Sequence, residues 1–407
     1  MKRNLTGLII PTIVALFNVL LLLYPRETIG AAGDGLRMWF NTVLPSLFPF
    51  MVGINLLAGF GFVHFIGELL SPVMMPLFGV PGAGGFALLS GMTAGYPTGA
   101  KVVAQLRRDK QVTKAEAQRL ISFCNNAGPL FMVGVVGVGL FKSASVGYCI
   151  LASHIVSALL IGFICKRIGR GAYRPHSRYA PQSSLEMAMG SYRVFKGSND
   201  TSIGYVFGNS IKNAMESIAL VGGFIVVFRV ITRVMHATGI LGWLPGCAGM
   251  DAALARPLIV GIFSGILEPV SGVQQIAAIG AAQAVLVPVA CGIISFGGFS
   301  VHMQALYFLR GTGVKPPLYL LAKLLHAILS AVIARCLMPV FSVKAAVDAV
   351  AMKDPLDPSY VGAGSFTRQI ALSALLFAIM AAAAVLLPII RGSLKRPCGR
   401  NPIQTRR

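Results

Sequence analysis

Long apolar runs follow one another along almost the whole of this chain, separated by short connections that are rich in Lys and Arg. A helical run of about twenty apolar residues spans the hydrocarbon core of a bilayer, and its backbone polar groups are then paired within the helix. Apolar residues make up 55% of the 407 residues and charged residues only 12%, which fits a soluble core poorly. The sequence therefore predicts an all-α polytopic membrane protein.

The basic residues lie mainly in the connections between the apolar runs. Lys and Arg together number 35, against 13 Asp and Glu. In a soluble protein this excess would suggest nucleic acid, but no arginine-rich helix or aromatic RNA-binding signature is present. Basic connections are typical of the cytoplasmic side of membrane proteins. We therefore expect the lipid bilayer as a partner and no nucleic acid.

Residue types that bind metals or carry out catalysis lack the spacings that such sites need. The seven cysteines are scattered singly, with no C-x-x-C pair, and the six histidines form no H-E-x-x-H motif. No nucleophile accompanies a recognisable base. The sequence thus predicts no metal site, no cofactor and no enzymatic activity.

The N-terminus combines Lys2 and Arg3 with an apolar run from Leu5 to Leu23. This is the charge layout of a signal peptide, but the apolar run is longer than a signal peptide needs. We therefore expect an uncleaved first span within residues 1–30, with cleavage after Gly30-Ala-Ala as the alternative.

Two apolar segments are interrupted by Gly, Pro and polar residues at matching places in the two halves, at residues 91–101 and 265–274. Non-helical backbone survives at membrane depth only where it is buried in protein or lines a polar cavity, and paired interruptions point to a transporter's binding site. The connection after residues 82–106 is basic and is therefore expected on the cytoplasmic side, where the preceding span has already ended. We therefore predict two re-entrant hairpins, residues 82–106 from the cytoplasm and residues 258–282 from the opposite face.

Counting the basic residues at the ends of each run gives about eight full spans around these hairpins. The spans are expected at residues 5–23, 40–65, 120–141, 146–165, 206–228, 284–309, 318–337 and 369–390. The chain then divides into a first span (1–30), a first repeat (31–168), a basic cytoplasmic linker (169–205), a second repeat (206–340), and an external loop, last span and basic tail (341–407). Arg229, Arg233 and Arg256 fall on the outer side and are exceptions to the charge rule.

The two halves also match in their residues. Ser90-Gly91 corresponds to Ser264-Gly265, and Thr98-Gly99 corresponds to Ser271-Gly272. A second polar break follows each hairpin, at residues 125–129 (Asn-Asn-Ala-Gly-Pro) and 295–300 (Ser-Phe-Gly-Gly-Phe-Ser). We therefore expect an inverted repeat in which four breaks converge, so that their free amides and carbonyls bind a small polar solute.

Three ordered motifs carry a resemblance to a known family. They are Ser-Gly-x-x-x-Gly-Tyr-Pro-Thr-Gly-Ala-Lys, ending at Lys101, Ser-Phe-Cys-Asn-Asn-Ala-Gly-Pro-Leu-Phe, ending at Phe131, and Ser-Phe-Gly-Gly-Phe-Ser-Val-His-x-Gln, ending at Gln304. The chain resembles the sporulation integral membrane proteins of the nucleoside-recognition, or Gate-domain, superfamily. That superfamily is similar to concentrative nucleoside transporters, which have two re-entrant hairpins in an inverted repeat. The second hairpin departs from the expected Glu-x-x-Asn-Gly form, with Ser271 in place of the Asn.

The resemblance implies a role and a place for the protein. The sporulation branch is associated with moving dipicolinate into the developing spore, which implies an integral membrane protein of a bacterial cell, with the outer forespore membrane as the candidate location. Copies of the same chain or other sporulation membrane proteins are the partners to expect.

The candidate site residues come from the four breaks and their flanks. Those expected to bind the substrate are Tyr96, Thr98, Gly99, Lys101, Asn125, Asn126, Ser271, Gly272, Ser300 and Gln304, and those expected to couple transport to a proton or cation are Glu268 and His302. Lys101 either pairs with a substrate carboxylate or extends toward the cytoplasmic surface. Glu268 either titrates during transport or forms a structural bridge to Lys101 or an arginine.

The uncharged candidates can also have a purely structural role in place of substrate binding or coupling. Tyr96 either stacks on an aromatic ring of the solute or packs against the other hairpin. Asn125 and Asn126 either donate to an anion or hold the broken helix together, and His302 is either a proton carrier or a hydrogen-bonded packing residue. The resulting function is transport of a small anionic aromatic solute. A nucleoside carrier and a scaffold for spore cortex assembly without transport remain the alternatives.

Overall fold

The computed structural model of the protein describes residues 2–166, 184–198, 202–240 and 252–351, and every regular element in these ranges is a helix. Four of these helices are long and apolar enough to cross a membrane, or up to six if each of two bent helix pairs counts as one span. Large apolar side chains lie exposed along several of them, for example Leu160 and Ile328. This is the surface expected of an integral membrane protein. The span expected at residues 369–390 lies outside the described residues.

The first helices differ in their bounds from the prediction. Helix α1 (Lys2–Leu23) ends at Tyr24, and the chain turns by 100° into α2 (Pro25–Met38). A π-helical turn (Trp39–Val43) joins α2 to α3 (Leu44–Gly59) without interruption, so the returning helix covers residues 25–59 and not 40–65. Pro25 explains the early start, because proline has no N–H to lose at the first position of a helix and disfavours helical backbone in the residue before it.

Helix α4 (Phe62–Phe78) turns away from α3 by 86° at Gly61, whose φ of +82° suits glycine. Beyond its other end, the carbonyl of Gly79 accepts a hydrogen bond from Arg119. Helix α9 (Ser184–Ser198), from the basic linker, packs near the start of α4, where the rings of Phe195 and His64 lie 4.8 Å apart. Both ends of α4 therefore lie near segments that the charge pattern predicts to be cytoplasmic, and α4 crosses that end of the bundle.

The first half continues with the predicted hairpin. Helices α5 (Ala83–Ala94) and α6 (Thr98–Arg108) pack against each other around a turn at residues 95–97. Helix α7 (Lys114–Cys124) begins at a Thr113–Glu116 capping box, which satisfies the first free amides of the helix. The chain is then non-helical at residues 125–128, followed by a π-helix (Leu130–Leu140) and by α8 (Ala144–Cys165).

The second half repeats this order. A long helix, α10 (Ile203–Ala237), precedes a hairpin of α11 (Ala252–Leu267) and α12 (Pro269–Ala277). Helices α13 (Gln283–Phe296) and α14 (Gly298–Phe308) are separated by Gly297, and α15 (Pro316–Ala351) follows. Residues 341–351, predicted to begin an external loop, are therefore helical, since they contain Ala, Val and Lys but no Gly or Pro that would end a helix.

Corresponding helices of the two halves pack in pairs. The indole N–H of Trp39 donates to the carbonyl of Ile218 (2.9 Å), and the amide of Asn55 donates to the carbonyl of Ser210 (3.2 Å). Residue numbers rise along residues 25–59 as they fall along α10, so this pair is antiparallel. Helix α8 packs against α15 in the same antiparallel way, because Cys149 contacts Ala334 and His154 contacts His326.

Two connections lie together at one end of the bundle. Arg107 Nε donates to the carbonyl of Thr312 (3.4 Å), and Gln118 Oε1 accepts a hydrogen bond from the backbone N–H of Lys315 (2.6 Å). The α6–α7 and α14–α15 connections therefore share a face, as the charge pattern requires for two cytoplasmic connections.

Candidate functional site

Each hairpin packs against the helix break of its own half. In the first half, a side-chain carbon added at Gly91 would lie 1.7 Å from the carbonyl oxygen of Cys124, and one added at Gly99 would lie 1.9 Å from it. The turn is equally close, because such a carbon at Gly95 would be 2.7 Å from the backbone nitrogen of Gly128. Only glycine permits this approach, so the hairpin is seated directly on the break.

The second half is built in the same way. A side-chain carbon at Gly298, just after the break, would lie 2.9 Å from the carbonyl oxygen of Gly265 and from the ring of Pro269. Gly272 faces Gly265 within the hairpin, where an added carbon would be 2.2 Å from the Cα of Gly265. The matching glycines that the sequence singled out therefore hold the two helices of each hairpin together.

Glu268 forms the tip of the second hairpin and caps α12. One carboxylate oxygen accepts from the N–H of Val270 (2.9 Å) and the other from the N–H of Ser271 (2.6 Å), while the side chain is 2% exposed. Tyr96, at the tip of the first hairpin, is close enough to Glu268 to interact with it electrostatically. The two tips therefore approach each other, as the sequence predicts.

The two asparagines of the first break are buried and each has one bonded and one unbonded polar atom. The Asn125 amide donates to the hydroxyl of Tyr319 (2.9 Å), and the Asn126 amide donates to the carbonyl of Phe123 (2.7 Å). Among the described residues, five of the predicted site residues carry a buried polar atom without a hydrogen bond: Thr98, Asn125, Asn126, His302 and Gln304. Buried polar atoms are usually paired, so these atoms can bind water or a solute.

Helix α14 carries the remaining predicted residues, Ser300, His302 and Gln304, and all three are buried. His302 Nδ1 lies 3.1 Å from the hydroxyl of Tyr319, and its ring meets that of Phe296 edge to face at 4.6 Å. Tyr319 therefore links His302, beyond the second break, to Asn125 at the first.

Lys101 lies apart from the hairpin tips and contacts α10. Its ammonium donates to the carbonyl of Asn213 (3.1 Å) and to the hydroxyl of Ser217 (2.8 Å). The bridge between Lys101 and Glu268, which the sequence left as an alternative, is therefore not formed. These bonds to α10 were not predicted, because sequence spacing carries no information on which distant helix packs beside α6.

Lys101 and Thr98 line a cavity of about 980 Å³ between α3, α6 and α10. Thr98, Lys101, Gln105 and Arg108 follow one face of α6 and all border the cavity, which therefore extends about 15 Å from the α6–α7 connection to the hairpin turn. The rest of the lining includes amides and aromatic rings: Asn55, Asn209, Asn213, Phe86, Tyr205 and Tyr307. Such a mixture suits a small polar solute with an aromatic ring.

A buried polar stripe on α15 is missing from the sequence-based site. Tyr319, Lys323, His326 and Ser330 are spaced four, three and four residues apart, so they share one helix face. All four are at most 2% exposed. A lysine inside a predicted span was the available signal, since intramembrane charges are functional candidates by default. Among the described residues, no group of three or more His, Cys, Asp or Glu side chains is placed to hold a metal ion.

Comparison with known proteins gives two matches. Residues 40–165 match the Gate family, which is described as nucleoside recognition. The chain is 32% identical over 334 residues to the sporulation integral membrane protein YlbJ of Bacillus subtilis (strain 168), an alignment that covers 81% of this chain and 82% of that protein. No solved structure matches the chain.

Proposed function

Because the chain belongs to the family of sporulation integral membrane proteins that includes YlbJ of Bacillus subtilis, we propose that it transports a small anionic aromatic solute across a membrane of the sporulating cell. Dipicolinate is the best candidate, since the resemblance to this branch implies it. The outer forespore membrane is the corresponding location. The solute crosses without chemical conversion.

One observation carries the proposal: a cavity with both polar and apolar lining runs along α6 from the end of the bundle to a hairpin turn. Its inner part contains the unbonded hydroxyl of Thr98, and Lys101 lies one turn away. A solute that enters from the α6–α7 connection reaches the hairpin without crossing lipid. Opening and closing such a one-sided route on alternate faces is how repeat-based transporters work.

A basic residue with a free donor and an aromatic lining support an anion with an aromatic ring. Lys101 and Arg108 supply positive charge inside the cavity, and Lys101 uses two hydrogen bonds to α10, which leaves one donor for a carboxylate. Asp109 and Glu216 also line the cavity, so its charge is mixed. We propose that the solute carboxylate binds Lys101 and that the ring lies against the aromatic lining.

The residues at the four breaks form the second part of the proposed route. Tyr96, Gly99, Asn125, Asn126, Ser271, Gly272, Ser300 and Gln304 would bind the solute after it leaves the cavity, and Glu268 and His302 are the candidates for coupling. The unbonded atoms of Asn125, Asn126 and Gln304 support this assignment.

We propose that the halves are inverted repeats with about eight full spans in all. Two features support it. Each half has a long helix, a hairpin and a broken helix in the same order. His154 in α8 and His326 in α15 are each the eleventh residue of their helix, and their rings touch at 4.7 Å between centroids, as residues beside a two-fold axis would.

The test is uptake of labelled dipicolinate by vesicles that contain the purified protein. We expect saturable uptake that Lys101→Gln weakens and Lys114→Gln does not, because Lys114 is exposed and does not line the cavity. Uridine is the competing solute, because the match to a nucleoside-recognition family favours a nucleoside carrier as the second candidate. Uptake of uridine alone would replace the proposal with that function, and uptake of neither solute above empty vesicles would indicate a scaffold.

A further inference from the structure

The buried amine of Lys323 lies at the centre of the bundle and has no carboxylate partner. Its Nζ is 2.9 Å from the carbonyl oxygen of Asn125 and 2.9 Å from Nδ1 of His326. In the ranges that the structure describes, no ion pair involves Lys323. A buried charge without a counter-charge is costly, so a lysine in such a place has a specific task.

Both protonation states of Lys323 fit these contacts. The two hydrogen bonds need two N–H donors, and a neutral amine has two while an ammonium has three. Addition of a proton therefore changes the charge of the site but breaks neither bond. The same property is needed in a group that takes up and releases a proton repeatedly.

The hydrogen-bond partners of the two neighbouring histidines fit their neutral forms. His326 Nε2 lies 3.1 Å from the carbonyl of His154, so it carries the proton, and Nδ1 is left to accept from Lys323. His154 Nε2 accepts the N–H of Ala127 (3.2 Å), so its proton is on Nδ1, 2.7 Å from the hydroxyl of Ser295. A second proton on either ring would break a hydrogen bond, whereas a proton on Lys323 would not.

Among the described residues, the titratable groups placed around Lys323 leave its charge uncompensated. Helix α8 presents His154, α14 presents His302, and α15 itself carries Tyr319 and His326; Cys124 of α7 precedes Asn125. None of these is a carboxylic acid. Lys323 and His326 are thus the pair where one proton can be stored.

The same contacts join the pair to both helix breaks. Lys323 binds the Asn125 carbonyl and His154 binds the Ala127 amide, both in the first break, while His154 also binds Ser295 beside the second. We propose that Lys323 and His326 form a proton-binding site that couples solute movement to a proton gradient. This inference rests on the proposed transport function, and it adds a proton site on α15 to the coupling candidates Glu268 and His302.

The experiment compares two modes of transport in vesicles that contain wild-type protein, Lys323→Met, Lys323→Arg or the control Lys315→Met, whose lysine is exposed. Dipicolinate counterflow at equal pH needs no proton coupling, whereas accumulation under a pH gradient of either direction does. We expect both Lys323 variants to lose accumulation at least tenfold while counterflow persists within about tenfold of wild type. Arginine is included because it keeps the charge but does not release the proton. Wild-type accumulation by Lys323→Met would overturn the proposal.

A second measurement does not depend on transport. Purified Lys323→Met and Lys315→Met are titrated potentiometrically between pH 5 and 9. After correction for the exposed amine that Lys315→Met lacks, Lys323→Met should exchange one proton fewer over this range. Equal proton uptake would overturn the proposal even if no solute is moved, and a missing proton together with absent transport would refute only the proposed function. If Lys323→Met does not fold, Lys323→Gln replaces it, since the glutamine NH₂ group can donate to both the Asn125 carbonyl and His326 but takes up no proton. An unchanged titration and pH-driven accumulation in that variant would likewise overturn the proposal.

Discussion

Glu268 lends itself to a quantitative prediction because its two carboxylate bonds are known. Hydrogen bonds to a charged group contribute about 1.5 to 3 kcal/mol each, so the bonds to Val270 and Ser271 together contribute about 3 to 6 kcal/mol. A glutamine at position 268 keeps one neutral hydrogen bond, worth about 1 kcal/mol, through its carbonyl oxygen. Its NH₂ group then faces the other backbone N–H, and two donors cannot form a hydrogen bond. We therefore expect Glu268→Gln to lower the free energy of unfolding by about 2 to 5 kcal/mol.

Aspartate offers the matched comparison. It keeps the charge and is a preferred residue at the start of helices, so Glu268→Asp should lower the stability by less than about 1 kcal/mol. Glu216→Gln serves as the control, because Glu216 is an exposed carboxylate in the interior of α10 and caps no helix. Reversible unfolding of purified protein in mixed micelles measures all three variants.

The result also separates the two tasks that Glu268 can have. Wild-type stability of Glu268→Gln would refute the capping argument. If that stable variant also lost the pH dependence of flux per folded molecule, the coupling role suggested by the sequence would be supported. A destabilised variant with an unchanged pH profile would leave Glu268 as a structural cap, in agreement with a proton site on α15.

Three further predictions concern other parts of the molecule. Lys101→Gln should weaken dicarboxylate binding by about 1.5 to 3 kcal/mol, or roughly tenfold to 150-fold, and Lys101→Arg should weaken it less; equal affinity in an isothermal titration would exclude the contact. Gly91→Ala places a carbon 1.7 Å from a backbone oxygen, so we expect a loss of about 3 kcal/mol of stability, and a normal melting curve would contradict the packing. Single cysteines at Lys110 and Arg310 should label from one face and a cysteine at Lys142 from the other, and labelling of the first two from opposite faces would refute the topology.

The hairpins could be predicted from the sequence because their signals are local. Gly, Pro and polar residues interrupt an apolar run only where the backbone is protected, so the interruptions at residues 91–101 and 265–274 located both hairpins. Gly95 and Glu268 mark the turns, and both lie within the predicted interruptions, which did not fix the turn residue itself. Boundaries of this kind depend on dihedral angles that the composition does not determine.

The contacts between distant helices could not be predicted. The spacing of Tyr319, Lys323, His326 and Ser330 indicates one buried face of α15, but nothing in it identifies α8 or the first break as the partner. The 86° bend before α4 was missed for a related reason. An apolar helix that crosses the end of a bundle has the same composition as one that crosses the bilayer.

Residues 25–59 pair antiparallel with α10, and α8 pairs antiparallel with α15. This pairing means that the stability of each half depends on the other half. Each half covers the apolar and polar faces that the other would leave exposed, so neither is expected to be stable alone in the bilayer. The covalent connection between the halves is then not required for their assembly. Two separately expressed polypeptides, divided between Lys166 and Ser184, should find each other in the membrane and restore the complete protein.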